Sequence, residues 1–161
     1  MNPTSPATDH LDPASAPAPG PDPDPALSLS LAQKVLDSQP FSRLLGARIT
    51  AFGDGAATLE LDIREELQQQ NGFLHGGVLS YAADNALTFA GGAALGPAVL
   101  TGGFTIQYLR PAVGAVLRAR ASVVHAGRRQ AVVRCDLLTV DAEGAETLCA
   151  VAQGTVMPAG G

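Results

Sequence analysis

The sequence predicts an α+β domain in which a single curved antiparallel sheet wraps around one long buried helix. Three observations carry this. The stretch from Gly76 to Leu100 is largely apolar and free of Lys and Arg, opened by Gly76-Gly77 and closed by Gly96-Pro97. Its surface is apolar almost all round, which is the pattern of a buried helix rather than a surface one. Two alternating, strand-like runs precede it and four follow, with no second helix among the four. Strands segregated from a single central helix make one sheet packed on that helix.

In chain order, residues 1–26 read as a disordered tail. The first thirty residues hold eight of the twelve prolines, mixed with Ala, Asp and Ser, and cannot bury enough surface to offset the entropy of ordering. Residues 27–45 read as an N-terminal helical segment: Leu27, Leu29, Leu31, Val35 and Leu36 recur at helical spacing and Pro40 marks the stop, with a turn at Phe41 to Leu45. Residues 46–157 form the main domain. Ala47 to Phe52 and Ala57 to Ile63 alternate around Gly53-Asp54-Gly55, a hairpin with one wet face. A polar loop, Glu65 to Gln70, leads to the helix. Strand-like runs follow at Val99 to Leu109, Ala115 to His125, Gln130 to Val140 and Glu146 to Val156, punctuated by Pro111, Gly114, Gly127 and Asp141 to Gly144. Arg118 and Arg120 share one parity and Leu117 and Ala119 the other, so the sheet is wet on one face and dry on the other.

Composition excludes several function classes. A net charge of −5 lacks the clustered Lys and Arg that phosphate neutralisation requires, which argues against nucleic acid as a partner. The apolar stretch is long enough to span a membrane, but Asp84 and Asn85 near its middle and the Gly-Pro stop argue against a span. Cys135 and Cys149 sit inside apolar strands, as reduced thiols of a cytoplasmic protein would. His10, His75 and His125 are too scattered for a metal site, so no metal and no cofactor are expected.

The residue to explain is Asp84, a carboxylate among Ala, Leu, Tyr and Phe. Burying it charged and alone is costly, so it must be paired, solvated in a cleft, or functional. At the start of the same helix, Gly76 and Gly77 lack side chains, and the free amides of the first turn point outward with the positive end of the helix dipole. That is a place for a developing oxyanion. Asp84 lies eight residues further on, about 12 Å along the axis, so one chain cannot bring both groups to one carbonyl. A site using both must combine two chains across a two-fold axis.

The run Asn71 to Thr88, with His75-Gly76-Gly77 and Asp84, closely resembles the His-Gly-Gly signature of the hotdog-fold acyl-CoA thioesterases, the PaaI-like group named after phenylacetic-acid degradation. The resemblance covers roughly Leu45 to Met157. It implies the hotdog fold, a homodimer or homotetramer with shared active sites, and hydrolysis of an acyl-CoA in which coenzyme A is part of the substrate. It implies Asp84 as nucleophile or general base, a choice the residues leave open, with the Gly76 amide polarising the carbonyl. Gln69 stands where the family carries an Asn or Gln that holds that carbonyl. Asn71, displaced from that position, is the backup. His75 orients the carbonyl or caps the helix. Gly77 lets substrate approach, and Thr88 lies one turn beyond Asp84. Thr101 falls where the family often has a hydroxyl near the catalytic water. Tyr108-Leu109-Arg110-Pro111 matches a second family signature, and Arg110, Arg128 and Arg129 are candidates for coenzyme A phosphates. Phe73, Leu74, Tyr81 and Leu87 would line an aryl or medium-chain acyl group. A hotdog hydratase and a non-catalytic acyl-CoA sensor are the competing readings.

Overall fold

The computed structural model describes residues 28–160, so the tail and Leu27 lie outside the described residues. The chain runs α1 (Leu29–Ser38), α2 (Pro40–Leu45), β1 (Arg48–Gly53), β2 (Ala56–Asp62), α3 (Gly76–Leu95), β3 (Val99–Tyr108), β4 (Val116–Ala126), β5 (Ala131–Val140) and β6 (Glu146–Pro158). Six antiparallel strands form one sheet in the order β1-β2-β4-β5-β6-β3, with α3 packed against its dry face. This is the expected α+β sheet around a central helix.

Two local expectations are corrected. Phe41 to Leu45 is helix rather than turn, because Pro40 ends α1 and also begins α2 at its first position, where a missing N–H costs nothing. In the polar loop, Glu65–Leu67 forms a single 3-10 turn that buries Leu67.

The sheet's parity holds as read. Leu59, Leu61, Leu117, Ala119, Val133, Cys135 and Leu137 are fully buried, each large apolar side chain contributing on the order of 1.5–3 kcal/mol. On the other face Glu60, Arg118, Arg120 and Glu146 form an ion-pair network: Arg118 bridges Glu60 at 2.6 Å and also pairs with Glu146, which Arg120 holds at 2.6 and 2.7 Å. The α3 face toward the sheet is built from Ala82, Ala83, Ala86 and Ala90, which permit close approach. Closest is Gly91, where an added Cβ would stand 2.6 Å from that of Val156.

β3 is an edge strand that pairs only with β6 among the described residues. Leu100 and Tyr108 near its two ends are exposed, as is Leu109 just beyond it. The start and the end of β3 border two different clefts.

Candidate active site

The α3 N-terminus is set by the loop before it. Gln69 accepts from Gly72 at 2.9 Å through its carbonyl, and its N–H donates to Phe73 O at 2.8 Å, closing a turn in which Gly72 takes a left-handed φ of 79°. The Gln69 side-chain Oε1 accepts from the Asn71 N–H at 2.9 Å, which leaves its Nε2 as a donor. His75 is the N-cap of α3: its Nδ1 accepts from the Gly77 N–H at 2.9 Å, so the ring is a neutral tautomer carrying its proton on Nε2. A Cβ on residue 77 would stand 3.0 Å from that nitrogen, so any larger residue there would push the capping ring by a few tenths of an ångström.

The consequence for the first-turn amides is specific. Gly77 donates to His75 Nδ1, and Val78 and Leu79 donate to the His75 carbonyl at 2.9 and 3.4 Å. The Gly76 N–H donates to no group among the described residues, and Gly76 lines an open cleft of about 400 Å³ with Gln69, Phe73, Tyr108 and Arg110. Tyr108 reaches over this turn, its hydroxyl donating to Gly76 O at 3.1 Å and meeting Ser80 Oγ at 2.8 Å.

Asp84 occupies a different cleft. It is half-buried rather than fully enclosed, and the α3 surface there is polar, with Asn85 and Thr88 beside it. Thr101 at the start of β3 donates to Asp84 Oδ1 at 2.6 Å. Thr88 Oγ1 lies 2.8 Å from the Asp84 carbonyl and 2.5 Å from Thr101 Oγ1. Two hydroxyl protons serve these three contacts: with Thr101 donating to the carboxylate, Thr88 divides its proton between its own helix and Thr101. The carboxylate is therefore held on one oxygen by Thr101 of the strand, whose hydroxyl Thr88 of the helix meets in turn. The two clefts share no lining residue.

Residues 71–145 match the sequence profile of the Thioesterase superfamily. A thioesterase family protein from Silicibacter pomeroyi has the same fold at a TM-score of 0.76, with 32% identity over 83% of this chain and 100% of that one. This chain belongs to the Thioesterase superfamily. A thioesterase of Haemophilus influenzae (TM-score 0.69, 27% identity, 81% of this chain and 89% of that one) is also similar. So is a mutant of the phenylacetic acid degradation protein PaaI from Thermus thermophilus (TM-score 0.65, 31% identity, 74% and 99%). The sheet and α3 are thus a hotdog fold of PaaI-like kind, and the protein is a thioester hydrolase.

Within this thioesterase the remaining sequence candidates separate. Arg110 borders the Gly76 cleft. Arg128 and Arg129 occupy the β4–β5 turn at the opposite end of the sheet, where Ala131 pairs with Val156 and Val156 with Thr101. One chain does not bring the three arginines together. Of the residues expected along an acyl group, Phe73 and Leu74 line the Gly76 cleft, whereas Leu87 is buried in the core. Tyr81 packs edge-on against Phe41, with ring centroids 5.4 Å apart, and donates to Ser42 Oγ at 2.6 Å. Burial raises the Tyr81 phenol above its ordinary value, and the hydrogen bond to Ser42 offsets part of that. The cysteines are free and buried, and desolvation pushes the Cys135 thiol up to about 12, so neither is a nucleophile.

The sequence reading missed Ser80, the Tyr108 hydroxyl, and the Phe52–Phe89 pair that closes the Asp84 cleft with centroids 6.3 Å apart. Ser80 lies one turn before Asp84, a spacing that signals a shared helix face. Phe52 carries no such signal, because it reaches the cleft only through the sheet.

Proposed function

We propose that this protein hydrolyses aryl- or medium-chain acyl-CoA thioesters to free coenzyme A and a carboxylic acid, at a site shared by two chains. The observation that carries the reading is the complementary pair of clefts: one unclaimed amide at Gly76 in the first, one tethered carboxylate at Asp84 in the second. Thr101 and Tyr108 stand near opposite ends of the open strand β3, and an antiparallel β3–β3 contact about a two-fold axis sets the start of one strand against the end of the other. Such a homodimer, alone or paired into a tetramer, faces Asp84 of one protomer toward the partner's Gly76.

In that site the thioester carbonyl oxygen accepts from the Gly76 N–H and the Gln69 amide, and negative charge developing there meets preorganised donors. Asp84 either attacks the carbonyl carbon directly or takes a proton from an attacking water. In both routes the carbon–sulfur bond breaks and coenzyme A leaves as the thiolate; after direct attack, water then cleaves the acyl–Asp84 anhydride to release the acid and restore the carboxylate. His75, neutral and committed to its cap, orients the first turn rather than acting as a base. Arg110 of one chain and Arg128 and Arg129 of the other offer guanidinium groups to the coenzyme A phosphates. We assign the protein to the cytoplasm, and no helix among the described residues is long and apolar enough to cross a membrane.

Release of free thiol from phenylacetyl-, benzoyl- and fatty acyl-CoA esters tests the reading. Turnover lost in both Asp84→Ala and Asp84→Asn, with the dimer intact, is the expected result. Binding of acyl-CoA without turnover by the wild type would make the protein a sensor instead. The reaction draws on no cofactor in this proposal, so dialysis against a chelator should leave turnover unchanged.

A further inference from the structure

Helix α1 carries two apolar stripes and buries only one. Ala32 and Leu36 enter the core at 4% and 1% exposure, and Gln33 Nε2 donates to Ile49 O at 3.1 Å, pinning the helix to β1. Leu31 and Val35, one turn apart, remain 36% and 43% exposed. Both line the Asp84 cleft. Across from them stand Phe89 and Gly92 on α3, with Phe52 and Val99 from the sheet. The polar residues Asp84, Thr88 and Thr101 are joined by hydrogen bonds on one side of this enclosure. Among the described residues, no Lys, Arg or His lines it.

The geometry points to this cleft as the seat of the substrate's acyl tail, with Leu31 and Val35 of α1 as the wall that selects an uncharged, apolar acyl group. The assignment rests on the reading that a thioester meets Asp84, and it fixes which side of Asp84 the tail takes. Two exposed apolar side chains on an otherwise anchored helix gain only when something apolar covers them. At about 350 Å³ the cleft lies near the lower end of the roughly 300–1,000 Å³ typical of small-ligand pockets, so the tail is compact. An acyl group ending in a carboxylate would lose its hydration there, find no cation, and approach a second carboxylate at Asp84.

Calorimetric binding of non-hydrolysable S-alkyl-CoA thioethers, from ethyl to decyl, to the full-length protein tests this independently of catalysis. The wild type should bind about three- to fourfold more tightly for each added methylene until the cleft fills. Val35→Trp, at a half-exposed position outside the core, should bind the ethyl thioether as the wild type does and gain nothing from longer chains. Val35→Arg should improve binding of a carboxylate-terminated thioether relative to an alkyl one of equal length by about tenfold. Wild-type affinity independent of chain length, or both variants reproducing the wild-type series, would overturn the assignment. Thiol release from phenylacetyl-, benzoyl- and octanoyl-CoA, run in parallel, separates the two claims, turnover on any one of them counting as turnover. No turnover with the chain-length series intact sinks the hydrolase reading and supports the cleft. Turnover with a flat series sinks the cleft alone.

Discussion

Replacing Gly76 with proline removes one donor that the proposed chemistry needs and very little else. Gly76 is the first residue of α3, the position where proline is most readily accepted in a helix. His75 before it has φ −64° and ψ 135°, the extended conformation that a residue preceding proline adopts. A Cβ at residue 76 would meet the Tyr108 ring at 3.5 Å, an ordinary contact. The amide that disappears has no partner to strand, since the Gly76 N–H donates to nothing among the described residues. Melting temperature should therefore stay near that of the wild type. Turnover should not: losing one donor to a developing oxyanion costs about 2.7–4 kcal/mol, or roughly 10²–10³ in kcat. Gly76→Ala keeps the amide and serves as the control. The assay is thiol release from an acyl-CoA ester the wild type accepts, with kcat and KM determined separately. Equal turnover in Gly76→Pro and Gly76→Ala would remove the helix start from the chemistry.

Thr101→Val deletes the hydrogen bond to the Asp84 carboxylate, an interaction of about 1.5–3 kcal/mol, and should lower kcat roughly 10- to 100-fold at nearly constant KM, with Thr101→Ser restoring it. An effect confined to KM would place Thr101 against substrate instead. Glu146 is held below its ordinary carboxyl value of 4.5 by its hydrogen bonds from Arg120 and then Arg118, burial opposing them. Because the folded-state value is depressed, the associated stability is present above about 4.5 and fades as the pH falls below it. Melting curves of Glu146→Gln and wild type should accordingly converge on acidification, and a gap that persists into acid would contradict this.

How much of this was legible in the sequence depended on whether a signal was local. The bounds of α3 were plain because glycines open it and Gly-Pro closes it, and the strands were plain because Arg118 and Leu117 sit on opposite parities. α2 was not, since Pro40 reads equally as a stop and as a first helical residue. The relation of Asp84 to Gly76 could be deduced from helical rise alone, and their separation into two clefts agrees with it. The tether from Thr101 to Asp84 joins a strand to a helix and carried no local signal; the family resemblance put a hydroxyl at Thr101 only near the catalytic water. The wall formed by Leu31 and Val35 was hidden because apolar residues at helical spacing read as core. Only packing reveals which of two stripes on α1 is left uncovered.

The proposed division of the site between two clefts has a genetic corollary. A dimer built this way does not require both defects to be absent from the same polypeptide. A chain carrying Asp84→Ala and a chain carrying Gly76→Pro are each inert as homodimers, yet each supplies the half the other lacks. Random mixing makes half of the dimers hybrid, and a hybrid has one whole site of its two, so about a quarter of wild-type activity should return when the two dead proteins are co-expressed. Alleles of this gene would then complement one another within the gene, and their pattern of complementation would sort loss-of-function substitutions to one cleft or the other without a further structure.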